Sequence, residues 1–195
     1  MFREIGKYQG NVVHLSHVIF QEVLIAGDCV VDATCGNGKD CVVLARLLKG
    51  KGKIVAYDVQ QEALDRAKHL CLTSLSEEEH KIITFKKQSH EHINEVGAKL
   101  FHYNLGYLPR GDKCITTLEK TTIASIQKAL TLVTNQGVIT VVCYPGHEEG
   151  EKEMLALEKL GRELDPQQWE VETFYVINRK KAPRLLVFRS LQGRR

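Results

Sequence analysis

Apolar residues in this chain recur at two alternating spacings, and the alternation restricts the fold more than any single motif. Val30-Val31 and Ile54-Val55-Ala56-Tyr57 are short continuous apolar runs of the strand kind. Between them Cys41, Leu44, Ala45 and Leu48 share one helical face, with Gly50 as the expected C-cap. Leu15, Val18, Ile19 and Val23 predict a helix before the first strand, and Glu62 to Cys71 a helix after the second. Ile82 to Phe85 reads as a third strand; Ile93, Val96 and Leu100 mark a short helix leading into a strand at Phe101 to Leu105. Ile123, Ile126, Leu130 and Val133 define another helix, and Asn135-Gln136-Gly137 is expected to turn it into a strand at Val138 to Cys143. A helix around Glu149 to Leu164 follows, then strands at Val171 to Ile177 and Leu185 to Phe188. Strand–helix alternation of this kind predicts an α/β, doubly wound, mostly parallel sheet covered on both faces. The last connection is too short for a crossover helix, so the final two strands should form an antiparallel C-terminal hairpin.

Composition agrees with one domain over 1–195, comprising an N-terminal helical segment at 1–28 and a basic tail at 189–195. The 195 residues are 43% hydrophobic and 26% charged, which excludes a disordered or fibrous chain. No apolar run approaches the roughly 18–20 residues that span a bilayer, and the start lacks the apolar stretch of a secretory signal. A cytoplasmic location and no membrane partner are therefore expected. The six cysteines include no Cys-x-x-Cys pair, and His90-Glu91-His92 suits neither one helix face nor a zinc-protease spacing, so no metal ligand set is expected.

In such a sheet ligands bind beyond the carboxyl ends of the strands. The turn Ala33-Thr34-Cys35-Gly36-Asn37-Gly38 follows the first strand, where glycines let backbone approach a ligand closely. Asp58 ends the second strand 20 residues after Gly38, a position suited to ribose hydroxyls. The turn is not a dinucleotide fingerprint, since Cys41 stands at the third glycine position, nor a phosphate loop, since Asp40 follows Gly38-Lys39. Carboxylates at Asp32 and Asp40 would repel a pyrophosphate and favour the cationic, phosphate-free S-adenosylmethionine (SAM) over NAD. The structural alternatives are a helix N-cap at Asp40 and a turn at Asp32.

Val30 to Asp40 together with Asn104-Leu105-Gly106-Tyr107-Leu108-Pro109 and Gly111-Asp112-Lys113 resembles a family of small class I SAM-dependent methyltransferases described as rRNA methylases. Some members methylate the 5-aminomethyl group of the wobble uridine, usually 2-thiolated, in bacterial tRNA. The likeness runs from about Leu15 to Phe188, with Arg110 and the acids after Tyr144-Pro145-Gly146-His147 as departures from the family pattern. The resemblance implies a Rossmann-like fold with Gly36, Asn37, Gly38 and Asp40 at the methionine end of SAM, beside Thr34. It implies Asp58 and Gln60 at the ribose and Ser89 and His90 at the adenine, with helix capping the alternative for the last two. His17 would close over the site, or be a satisfied surface histidine. Asn104 resembles the polar residue of the Asn-Pro-Pro-Tyr motif of amino-group methyltransferases, its amide oxygen an acceptor for an amine; a simple turn is the alternative. Tyr107 would act as an aromatic lid, while Asp112, Tyr144 and His147 are candidates for proton acceptance or nucleobase contact.

Net charge is only +3, but Arg179, Lys180, Lys181 and Arg184 lie in a C-terminal stretch without acids. With Arg110 and Lys113 they are candidate phosphate contacts to tRNA; a solvated face is the alternative. A chain this small would grip tRNA with its own rim or as a homodimer. Rival readings are a methyltransferase for rRNA or for a small-molecule or protein amine, a non-catalytic SAM- or RNA-binding module, and an NAD-dependent oxidoreductase.

Overall fold

The computed structural model describes residues 11–106 and 116–193. Seven strands form one sheet in the order β3-β2-β1-β4-β5-β7-β6. They are β1 (Cys29–Asp32), β2 (Lys53–Asp58), β3 (Ile83–Lys87), β4 (Ala98–Asn104), β5 (Val133–Cys143), β6 (Trp169–Phe174) and β7 (Arg184–Ser190). β1 to β5 run parallel, and β7 lies antiparallel between β5 and β6, so the expected C-terminal hairpin forms. The helices are α1 (Val12–Val23), α2 (Lys39–Leu48), α3 (Gln61–Ser74), α4 (Glu77–Lys81), α5 (Glu119–Leu132) and α6 (Glu148–Glu163). Among the described residues no helix is long and apolar enough to cross a membrane.

Consecutive strand residues feed two cores, because side chains alternate across a pleated sheet. Val30, Ile54, Leu100, Val138 and Leu185 pack with Phe20 of α1 and Leu44, Ala45 and Leu48 of α2. Their successors Val31, Val55, Phe101, Ile139 and Leu186 pack on the opposite face with Ile126 and Ala129 of α5 and Met154 and Leu157 of α6. Two-sided burial explains why these strands read as unbroken apolar runs. Emptying one such position, Phe101→Ala for instance, should cost about 3–5 kcal/mol.

Several boundaries differ from the sequence expectation, each for a local reason. The helix expected from Ile93 to Leu100 is a single 3₁₀ turn at His90–His92, and Leu100 lies in β4 with Val96 exposed. Sheet pairing of Leu100 with Val30 and Val138 overrides the helical spacing. Asn135-Gln136-Gly137 is no separate turn: β5 runs through it, with Gln136 left-handed at φ 58° and the β4 register shifted alongside. The C-cap of α2 is Lys49 rather than Gly50, although both are left-handed. The most buried residues of α1 are Val12, Ser16 and Phe20, one position off the expected stripe. The acid-rich α4 had no apolar stripe to reveal it; a capping box of Ser76 and Glu79 starts it. The expected tail at 189–195 begins later, because Arg189 belongs to β7 and pairs with Glu172 at 3.1 Å.

Candidate active site

The strand order reverses between β1 and β4, and a cleft of about 1010 Å³ opens there at the carboxyl ends of the parallel strands. Register fixes what meets in it. Asp32 pairs with Ala56 on one side and His102 on the other, and Asn104 pairs with Val142, so β1, β2, β4 and β5 end nearly level.

The β1–α2 turn forms the floor. Gly38 caps α2 at φ 80°, and a Cβ there would meet Ala67 Cα of α3 at 2.7 Å, so only glycine brings the two helices this close. No side chain among the described residues caps α2, which leaves its first backbone N–H groups without a capping acceptor. Asp58 holds the turn from β2, accepting N–H bonds from Gly36 at 2.9 Å and Gln60 at 2.8 Å. Burial raises the Asp58 carboxyl, and those two donors oppose the rise. Thr34, Gly36, Asn37, Asp40, Asp58, Gln60, Ser89 and His90 all line the cleft, so the structure gathers the sequence-derived cofactor residues; Gly38 lies just behind them as the cap.

The two acids beside the turn do different things. Asp32 is fully buried and off the cleft wall, accepting from the Thr34 N–H and the Cys41 thiol. Burial, then the charge of Asp40, push its carboxyl up to about 6. The structural-turn alternative describes Asp32. The helix-cap alternative does not describe Asp40, which sits in the first turn of α2 and binds across the cleft instead. Its Oδ1 lies 2.6 Å from His17 Nε2 of α1, and its Oδ2 accepts from Asn104 Nδ2 at 3.3 Å. His102 Nε2, 3.6 Å from the same Oδ2, is too far for a hydrogen bond but near enough for charge. Burial opposes ionisation of Asp40, yet the imidazoles of His102 and His17 outweigh it and hold the carboxyl well below the usual range.

Asn104 ends β4 with its amide orientation determined. An ionised carboxylate only accepts, so Nδ2 faces Asp40 and Oδ1 faces the Tyr144 hydroxyl, which donates at 3.0 Å. The Asn104 backbone N–H donates to Thr34 Oγ1 at 2.6 Å. Burial pushes the Tyr144 phenol up to about 12, keeping it a donor. Beyond Asn104, Gly106 and Thr117 bond each other twice, and Thr117 Oγ1 donates to the buried Glu153 of α6.

The remaining candidates divide. Ser89 Oγ accepts from the Glu91 N–H, so it both caps the 3₁₀ turn and lines the cleft. His147 lines the cleft while its Nδ1 accepts from the Gly150 N–H, capping α6. Lys181 reaches the cleft wall, and Arg179 and Lys180 stand exposed beside it. Arg184 is engaged elsewhere, 2.7 Å from Glu158 and over the Tyr175 ring. Tyr107, Arg110, Asp112 and Lys113 lie outside the described residues. Asp32, Cys35 and Cys41 place ligand atoms within 4.8 Å of one another, a grouping their spacing did not suggest; the Cys41 thiol is spent on Asp32. Tyr57, Thr117 and Val13 line the cleft without any sequence signal beyond apolar or strand character.

The residues present suit SAM. Three carboxylates near the floor match a cation, and Asp40 stands after Gly38-Lys39 where a phosphate loop has serine or threonine. Among the described residues, Asn37 Oδ1 and His90 Nε2 are buried on the cleft wall without a hydrogen-bond partner, polar atoms that a bound adenosyl or amino-acid group would satisfy.

Comparison with known proteins bears on the same residues. The family described as "Putative rRNA methylase" matches residues 54–190. A chloroplastic tRNA (mnm(5)s(2)U34)-methyltransferase of Arabidopsis thaliana is 31% identical over 188 residues, 91% of this chain and 68% of that protein. The crystal structure of a "putative rRNA-methylase" of Clostridium thermocellum is 31% identical, covers 91% of this chain and 96% of its own, and superposes with a TM-score of 0.84. A "putative methyltransferase" of Streptococcus mutans, solved in complex with SAH, is 28% identical over 92% of this chain and 97% of its own, with a TM-score of 0.78.

Proposed function

This chain belongs to the rRNA methylase family and is a SAM-dependent methyltransferase acting on RNA, and on that premise we propose that its acceptor is the 5-aminomethyl group of wobble (2-thio)uridine in tRNA. The observation that carries the reading is Asn104, whose Oδ1 faces the cleft end of β4 beside Tyr144. An amide oxygen there can take an N–H bond from an amine and aim its lone pair.

Bound SAM supplies a methyl group on a sulfonium, already activated for displacement. Gly36, Asn37 and Asp40 would hold its methionine end, Asp58 and Gln60 its ribose, and Ser89 and His90 its adenine. The chain's own task is then to hold a neutral amine in line and dry. A primary ammonium with a lysine-like pKa of about 10.4 is mostly charged at neutral pH, and exposing the free amine costs about 4.6 kcal/mol. Desolvation beside a cation lowers that cost. Lys181, Arg179 and Lys180 would meet backbone phosphates at the rim, with Arg110 and Lys113 as further contacts and Tyr107 and Asp112 at the acceptor base.

The test uses SAM with a deuterated methyl group and tRNA from cells lacking the enzyme, digested to nucleosides for mass spectrometry. Label on 5-methylaminomethyl-(2-thio)uridine in the tRNA fraction is the expected result. Label in rRNA, or in none of the nucleosides while SAM still binds, would overturn the acceptor assignment.

A further inference from the structure

We propose that His17 is the proton acceptor of the reaction, converting the acceptor's ammonium group to the free amine with the Asp40 carboxylate behind it. The inference rests on the amine reading above. Its basis is a three-residue bridge: one carboxylate, Asp40, binds His17 Nε2 through Oδ1 and Asn104 Nδ2 through Oδ2. The imidazole of α1 and the amide that receives the amine are thus held on opposite oxygens of a single group. His17 lines the cleft and keeps part of its ring open to solvent, its side chain being 23% exposed.

Among the described residues, the other acid–base candidates on the wall are committed or misplaced. Asp40 is ionised by its own imidazole partners and is a correspondingly weak base. Tyr144 donates to Asn104. His147 Nδ1 caps α6. His90 is pressed down by burial to about 4 and, like Asp58 and Glu91, belongs to the β2–β3 side of the cleft. Among the described residues, the titratable groups around His17 and its partner are Asp40 from α2, Asp32 from β1, His102 from β4, Tyr144 after β5 and His14 on its own helix, ring centroids 6.5 Å apart. Asp40 fixes the tautomer: Nε2–H points to the carboxylate and Nδ1 is left as the acceptor.

The step balances simply. One N–H bond of the ammonium breaks, its electron pair stays on the amine nitrogen, and an Nδ1–H bond forms on His17. The imidazolium, paired with the Asp40 carboxylate, returns its proton to water, to which the side chain is partly open.

The experiment measures single-turnover methyl transfer to aminomethyl-bearing tRNA across pH for the wild type, His17→Gln and His17→Ala, with SAH affinity by calorimetry. Gln retains a donor to Asp40, so α1 stays anchored. Expected is a rate loss on the order of 100-fold in His17→Gln, disappearance of the acid limb of the pH profile, and unchanged SAH affinity. Added imidazole should restore His17→Ala in proportion to its free-base concentration. An unchanged rate and profile in His17→Gln overturns the proposal, as does a rate loss matched by lost SAH affinity without imidazole rescue. If the wild type places no methyl on the aminomethyl group, the acceptor reading fails and the inference falls with it.

Discussion

The two halves of the cleft are built in different ways. On the β1–β2 side the contacts are mostly side chain to backbone within one strand–helix–strand unit: Asp58 receives Gly36 from 22 residues away and its neighbour Gln60, and Asp32 receives Thr34. On the β4–β5 side they are side chain to side chain between distant elements. Tyr144 donates to Asn104, 40 residues away, and Thr117 to Glu153, 36 away. The first half can therefore be shaped within the β1–α2–β2 unit, whereas the second depends on α5, α6 and the sheet arriving together. Asp40 touches both halves and transmits between them. Cofactor affinity should accordingly be separable from turnover by mutation, except at Asp40.

The sharpest test of that division is Asn104→Ala. Turnover should fall on the order of 100-fold, from loss of aim at the acceptor, while calorimetry finds SAH bound as tightly as before. Equal loss of both would mean that the halves are one unit. Asp58→Ala should do the reverse. Losing two charge-assisted N–H bonds, at about 1.5–3 kcal/mol, weakens SAH about 10- to 100-fold, with the rate recovered at saturating SAM. Tyr144→Phe removes one donor to Asn104 but keeps the ring; turnover should drop roughly tenfold, as expected for about 1.4 kcal/mol. SAH affinity should not change.

The smallest expected effect concerns stability. The Asp32 carboxyl is raised from 3.8 to about 6, so the folded state holds its proton where the unfolded chain has released it. A raised acid makes stability fall as pH climbs through that window, the reverse of a salt-bridged carboxylate. Asp32→Asn should therefore raise the melting temperature at pH 8 by a few degrees and lose that advantage at pH 4. A melting temperature lowered at both pH values would mean that the carboxylate's bonds to Thr34 and Cys41 outweigh its burial.

Much of this was legible from residues alone, and unevenly so. The parallel sheet could be read because strands buried on both faces must be apolar at every position, as Val30-Val31 and Ile54-Val55 are. The short helix expected at Ile93 to Leu100 failed because a spacing of three and four is also met by chance in a loop running into a strand. Among the acids, Asp58 could be placed from its distance to the glycines, but Asp32 and Asp40 could not be told apart. Both are carboxylates within the same eleven residues, and only packing buries one at the end of β1 and points the other at His17.

His17 and Tyr144 illustrate the same limit. Each was visible as a polar residue at a plausible place, yet nothing local says that α1 lies against α2, or that the end of β5 stands level with Asn104. What the sequence by itself determined is what depends on neighbours along the chain: the strand–helix alternation, the glycine turn and the acid that follows the second strand. What only the tertiary structure decided is the protonation and orientation of the site, because charge and hydrogen-bond direction are set by groups 23 to 64 residues apart that meet only when the sheet closes.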